Sequence, residues 1–142
     1  MVGTFFGHRD TPTDIEHALR RAIQDLIENK KVDVFYVGNQ GNFDALVRRV
    51  LKDIQIQYPH VQYTVVLAYM PTEKDIYEDF SDTIYPDGLE TVPKKFAIVA
   101  RNQWMLNKAD YVVSYVTCST GGAARFTALA EKKGKTIIRL RT

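Results

Sequence analysis

The sequence predicts an α/β fold: a three-layer domain in which helices flank a five-stranded, mainly parallel sheet. Three observations predict it. Short apolar, β-branched runs alternate with longer amphipathic runs along the chain. A run such as Val65-Val66-Leu67 is continuously apolar, as suits a strand covered on both faces. Three of the apolar runs end in glycine-containing loops that lead into helix patterns, the order of a βαβ unit.

The first strand is Val2 to Phe6, ending at Gly7-His8-Arg9. Thr13-Asp14-Ile15-Glu16 reads as a capping box, a hydroxyl cap with a carboxylate three residues on. Ile15, Ala18, Leu19, Ala22, Ile23, Leu26 and Ile27 then recur at helical spacing, until Asn29-Lys30-Lys31 ends the helix. Val32 to Val37 is the second strand and runs into Gly38-Asn39-Gln40-Gly41-Asn42. The helix that follows carries Phe43, Leu46, Val47, Val50, Leu51 and Ile54 on one face, and Tyr58-Pro59-His60 breaks it. Val61 to Tyr69 is the third strand.

Residues 70 to 92 are rich in acids and tyrosines and read as a long excursion with room for a short helix. Glu73, Asp75, Glu78, Asp79, Asp82, Asp87 and Glu90 are most simply a solvated face of it. Pro93 suits the first position of a helix that runs to about Lys108. Tyr111 to Val116 is the fourth strand, Thr117 to Gly122 a polar loop, Ala123 to Lys133 a final helix stopped by Gly134, and Thr136 to Leu140 the last strand. Short connections and right-handed crossovers favour a Rossmann-like parallel sheet with helices on both faces, in one domain spanning 1–142.

The totals exclude several classes. A net charge of +2 over 142 residues argues against the broad basic face of a general nucleic-acid binder. The single cysteine, Cys118, has no internal disulfide partner, and three scattered histidines make a metal site improbable. No apolar run approaches the ~20 residues that span a bilayer. With no secretory signal visible, a cytoplasmic protein is expected, with no membrane partner and no cofactor.

In parallel α/β sheets, ligands lie beyond the carboxyl ends of the strands, near the point where strand order reverses. Three loops fall at such ends: Gly7-His8-Arg9, Gly38 to Asn42, and Thr117 to Gly122. Free amides at a helix start favour anions, and glycine lets a phosphate approach the backbone. Gly7, Gly38, Gly41, Gly121 and Gly122 are therefore ligand-binding candidates. Arg9, Ser119, Thr120 and Arg125 join them as phosphate-side groups, and Asn39, Asn42 and Asp44 as groups for ribose or base. Thr117 and His8 are ligand-binding candidates with no part of the ligand assigned, and His8 equally suits capping or packing against its loop. Neither the dinucleotide fingerprint nor a P-loop is present. Cys118 lies near a helix start but has no base partner identifiable in the sequence.

In combination these residues resemble the SLOG superfamily, the Rossmann-like relatives of Smf/DprA and Lonely Guy proteins. The resemblance rests on Gly7-His8-Arg9, Gly38-Asn39-Gln40-Gly41-Asn42-Phe43-Asp44, Arg101-Asn102-Gln103-Trp104-Met105, Thr120-Gly121-Gly122-Ala123-Ala124, and the segment Asp82 to Glu90. It covers nearly the whole chain and is closest to small stand-alone bacterial and phage-borne members, some linked to phage–host conflict. It implies a pocket for a nucleotide-derived small molecule at the C-terminal edge of the sheet, and a homodimer. Lonely Guy enzymes cleave the ribose–base bond with an arginine and a glutamate. Arg101 stands at the arginine, but aligning Gly121-Gly122 with their glycine pair puts Ala128 at the glutamate. Asp44 is the acid available to replace it, so Arg101 and Asp44 are the catalytic candidates.

Three readings follow. The first is a module that senses or sequesters a nucleotide-like ligand. The second is a nucleotide N-glycosidic hydrolase. The third is a DNA-associated or protein-interaction module, with nucleic acid disfavoured because no basic stripe is interleaved with aromatics.

Overall fold

The protein is described here by a computed structural model covering residues 1–70 and 82–141. Its strands are β1 (Val2–Gly7), β2 (Val34–Val37), β3 (Gln62–Val66), β4 (Thr83–Ile84), β5 (Tyr111–Tyr115) and β6 (Thr136–Arg139). The helices are α1 (Glu16–Lys30), α2 (Gly41–Gln57), α3 (Ala97–Lys108) and α4 (Gly122–Lys132).

The strands form one sheet in the order β4-β3-β2-β1-β5-β6. Every neighbouring pair is parallel. The chain therefore builds outward from β1 to β4, returns to the other side of β1, and builds outward again. β1 lies at that reversal, pairing Val2 with Val34 of β2 on one side and Gly7 with Tyr115 of β5 on the other.

The five-strand expectation is corrected here: the sheet has six strands. The sixth, β4, falls in the stretch read as a loop. Two residues are too few to show a period of two, and backbone hydrogen bonds pair β4 with β3. The Val65 N–H donates to the Asp82 carbonyl at 2.8 Å and the Leu67 N–H to the Ile84 carbonyl at 2.9 Å. The rest of the excursion that falls at 71–81, with Glu73, Asp75, Glu78 and Asp79, lies outside the described residues. Asp82, Asp87 and Glu90 are exposed.

Two helix starts also differ from expectation. Pro12 precedes a 3₁₀ turn at Thr13–Ile15 with no side-chain cap, so the Thr13 capping box does not form. Pro93 has ψ 138° and precedes a 3₁₀ turn at Lys94–Phe96, which delays α3 to Ala97. The C-terminus of α1 falls where Asn29-Lys30-Lys31 predicts it. Lys31 adopts the left-handed conformation at φ 59°, and the Val32 N–H closes on the Leu26 carbonyl at 3.0 Å.

Alternation along β1 splits the core into two layers. Phe5 joins the cluster under α1 and α2, with Leu19, Ile23, Phe35, Phe43, Val47 and Val113. Phe6 joins the opposite cluster under α3 and α4, with Val66, Met105, Leu106, Val112 and Phe126. Burying side chains of this size on both faces is the dominant gain, about 1.5–3 kcal/mol for each large apolar residue.

The approach of α2 to β1 is as close as the backbone allows. A Cβ on Gly7 would lie 2.1 Å from the ring carbon Cγ of Phe43. Gly7→Ala is therefore expected to destabilise the fold by about 1–3 kcal/mol through overpacking, read as a lowered urea midpoint. Gly122→Ala, where a Cβ meets nothing within 4 Å, is the control and is expected to leave the midpoint within about 0.5 kcal/mol.

Candidate functional site

At the C-terminal edge of the sheet, a cavity of about 320 Å³ opens over the end of β1. Four pieces of chain wall it: Phe5 to Asp10 from β1 and its loop, Gln40 and Asp44 from the start of α2, Ile98, Arg101, Asn102 and Met105 from α3, and Gly121 to Ala123 from the start of α4. The reversal of strand order brings these pieces together. Adjacent helices diverge where β1 has β2 on one side and β5 on the other, which leaves a crevice.

Seven of the sequence-derived candidates line this cavity: Gly7, His8, Arg9, Asp44, Arg101, Gly121 and Gly122. The others lie behind or beside it. Gly38 sits against the pair at its wall, since a Cβ there would lie 2.6 Å from Asp44 Oδ2 and 2.8 Å from Arg101 Nη1. Asn39 Oδ1 accepts from Arg101 Nη1 at 3.4 Å. Gly41 packs on Arg9, with a Cβ position 2.8 Å from the Arg9 Cα, and the Asn42 N–H donates to the Arg9 carbonyl at 2.7 Å. These contacts tie the first two loops together.

Thr117, Ser119 and Thr120 are exposed on the third loop. Arg125 is exposed one turn into α4, its guanidinium 5.8 Å from the ring centroid of Phe126.

The α4 wall presents uncapped backbone donors. Gly121 adopts φ 97°, a conformation that strains any side chain, and it turns the chain from the loop into the helix. No side chain caps α4, so the N–H groups of its first turn have no intrahelical acceptor. Added Cβ atoms at Gly121 and Gly122 would meet nothing within 4 Å, so the space beside these amides is open. The positive end of the helix dipole points at that space.

Asp44 from α2 and Arg101 from α3 form a buried charged pair at the cavity wall. Asp44 is 9% exposed and Arg101 only 2%. Asp44 Oδ2 accepts the Gln40 N–H at 3.0 Å. Arg101 donates from Nη1 to the Val66 carbonyl at 3.0 Å and from Nε to Asn102 Oδ1 at 2.8 Å. Arg48 Nη1 donates to the Gly38 carbonyl at 3.1 Å and steadies the loop between them.

Burial pushes the Asp44 carboxyl above its ordinary value, against the smaller opposing pulls of Arg101, the Gln40 N–H and Arg48. Burial likewise lowers the Arg101 guanidinium, and the negative charge of Asp44 opposes it. Each member of the pair thus offsets part of the other's desolvation.

The sequence reading missed two features. Gln40, at the start of α2, and Ile98 and Asn102, on α3, line the cavity. Cys118 does have a basic neighbour, His8 Nε2, 3.9 Å from its Sγ. A separation of 110 residues hid that pairing, and only the adjacency of β1 and β5 reveals it. Among the described residues, no group of three or more His, Cys, Asp or Glu is arranged to hold a metal ion. No helix among them is long and apolar enough to cross a membrane.

The parallel sheet, its order and the crevice at the reversal define an α/β fold of Rossmann type. The fold is similar to that of DNA processing protein A (DprA) from Streptococcus pneumoniae, with a TM-score of 0.69 at 16% identity. The likeness covers 96% of this chain and 49% of that one, so the chain spans about half the length of DprA. At that identity the likeness is one of fold, and it meets the fold that the Smf/DprA resemblance implies. No protein-family model matches the sequence, and no curated protein does.

The raised Asp44 carboxyl gives stability a pH dependence of definite sign. A carboxyl raised on folding favours the fold while protonated, and that contribution is lost as pH climbs through its folded-state pKa. Asp44→Asn keeps an acceptor for the Gln40 N–H but cannot titrate. The stability of the native protein relative to this variant is therefore expected to fall as pH rises from below 3.8 toward neutrality, measured by urea unfolding at constant ionic strength. A flat or rising difference would show that burial does not dominate at this carboxyl.

Proposed function

We propose that the chain binds a nucleotide or nucleotide-derived small molecule in the cavity at the C-terminal edge of the sheet. The observation that carries this reading is the start of α4, where uncapped amides beside Gly121 and Gly122 border open space in a cavity that the β1 loop also walls. In this reading the phosphate sits on those amides, with Arg9 supplying charge from the facing loop. Ser119, Thr120 and Arg125 add donors at the mouth. Asp44 and Asn39, beside Arg101, serve the ribose or base, and Ile98 and Met105 give that end an apolar wall. The fold alone does not specify the ligand.

A thermal-shift screen against nucleoside mono- and diphosphates, dinucleotides, cyclic nucleotides and ADP-ribose derivatives tests the reading. A ligand at 100 times its Kd is expected to stabilise the fold by about 2.7 kcal/mol without being consumed. Gly122→Ala, which fills the open space beside the amides, is expected to weaken binding about tenfold or more while the unliganded protein melts normally. A panel in which no nucleotide shifts the melting temperature would sink the reading.

A second reading is supported by the Asp44–Arg101 pair at the cavity wall. Burying two charges there is costly, and their pairing and hydrogen bonds offset part of that cost. Ribose–base cleavage passes through an oxocarbenium-like transition state that a carboxylate stabilises, and burial makes the Asp44 carboxyl a stronger base than an ordinary aspartate. Asp44 would then do the work of the glutamate that Ala128 replaces. This reading expects free base from a nucleoside monophosphate on chromatography, with Asp44→Ala and Arg101→Ala each slowing release by at least about 100-fold.

A further inference from the structure

The loops on either side of the strand-order reversal are tied by a single side chain. His8 follows β1, Thr117 follows β5, and the Thr117 N–H donates to His8 Nε2 at 2.8 Å. Nε2 is therefore the bare nitrogen, and the ring hydrogen resides on Nδ1. A protonated imidazole carries hydrogen on both nitrogens and cannot accept. This contact therefore exists only while the ring is neutral.

The position of the imidazole makes its charge consequential. His8 lines the same cavity as the amide-bearing start of α4. While Nε2 accepts from Thr117, His8 offers that cavity neither charge nor an Nε2 hydrogen. Once protonated it brings a positive charge to the cavity lining, and the Thr117 N–H loses its acceptor.

The groups around it are few. Tyr115 of β5 packs edge-on at 6.2 Å, and Cys118 Sγ lies 3.9 Å from Nε2. Arg9 and Asp10 follow on the same loop, Asp44 and Arg101 face it from the α2 and α3 walls of the cavity, and Arg125 follows the uncharged first turn of α4.

We propose that the His8–Thr117 hydrogen bond is an acid-released latch between the two loops flanking the cavity, coupling proton uptake at His8 to anion binding there. The coupling half rests on the anion-site reading above; the latch half does not. Binding of an anion favours the protonated ring, and protonation favours the anion, by the same factor in each direction.

The experiment has two arms. In the first, amide hydrogen exchange at Thr117 is followed by NMR without ligand in the native protein and in His8→Gln, whose side chain accepts a hydrogen bond but does not titrate. The Thr117 protection factor is expected to fall about fivefold between about pH 7.5 and about pH 5.5 in the native protein and to stay level in the variant. In the second, sulfate, a dianion throughout this range, is titrated at both pH values. Sulfate is expected to bind about tenfold more tightly at the lower pH to the native protein, with no such change in His8→Gln. Thr117 protection that ignores pH, or that responds equally in His8→Gln, overturns the latch. Sulfate affinity with the same pH dependence in both proteins overturns the coupling. A Thr117 amide that titrates while sulfate fails to bind at either pH supports the latch and removes the anion-site reading.

Discussion

Everything at the C-terminal edge depends on β1 being hydrogen-bonded along both of its sides. Its five-residue register with β5 and three-residue register with β2 hold the ends of three strands in one plane. The loops that leave those ends belong to segments far apart in the chain, so only this pairing makes them neighbours. Phe5 and Phe6 anchor the strand in opposite core layers, and Gly7 ends it flush against Phe43. Shifting β1 by one residue would exchange the two core faces and move every wall of the cavity at once.

The cavity is built from two contrasting solutions to the cost of polar atoms away from water. On the α4 side, donors are left open and no side chain competes for them. On the α2–α3 side, Asp44 and Arg101 are enclosed, and the bonds to Gln40, Val66 and Asn102 occupy much of their capacity. One wall is adaptable and the other is preset. The proposed ligand, with an anionic end and a polar, directional end, would meet that asymmetry in one orientation.

Much of this was legible in the sequence, for identifiable reasons. Long amphipathic runs such as Leu46-Val47-Val50-Leu51-Ile54 fix α2 because periodicity over several turns is hard to imitate by chance. The three strand-end loops were found for the same reason, as glycines follow strong apolar runs. Elements without periodicity were not legible. Thr83-Ile84 is a strand only because β3 offers it a free edge, and Lys94 to Phe96 delay α3 through a 3₁₀ turn that propensity does not register. At the site, position along the chain did not distinguish wall from support. Gly38 and Asn39 back the Asp44–Arg101 pair, whereas Gln40 between them and Asp44 lines the opening. That distinction is set by where a loop turns in space.

The outer strand β6 bears on how copies of this chain behave when crowded. It pairs with β5 on one side, and its other side presents backbone donors and acceptors that a neighbouring molecule's strand can match. Two isoleucines, Ile137 and Ile138, sit at its centre, the composition that favours such unwanted joining. Lys135 and Arg141 flank them with like charge, and Arg139 is paired with Glu131 at 3.1 Å. Edge-to-edge pairing of two copies would have to bring those cations together, and like charges on an edge strand oppose such pairing.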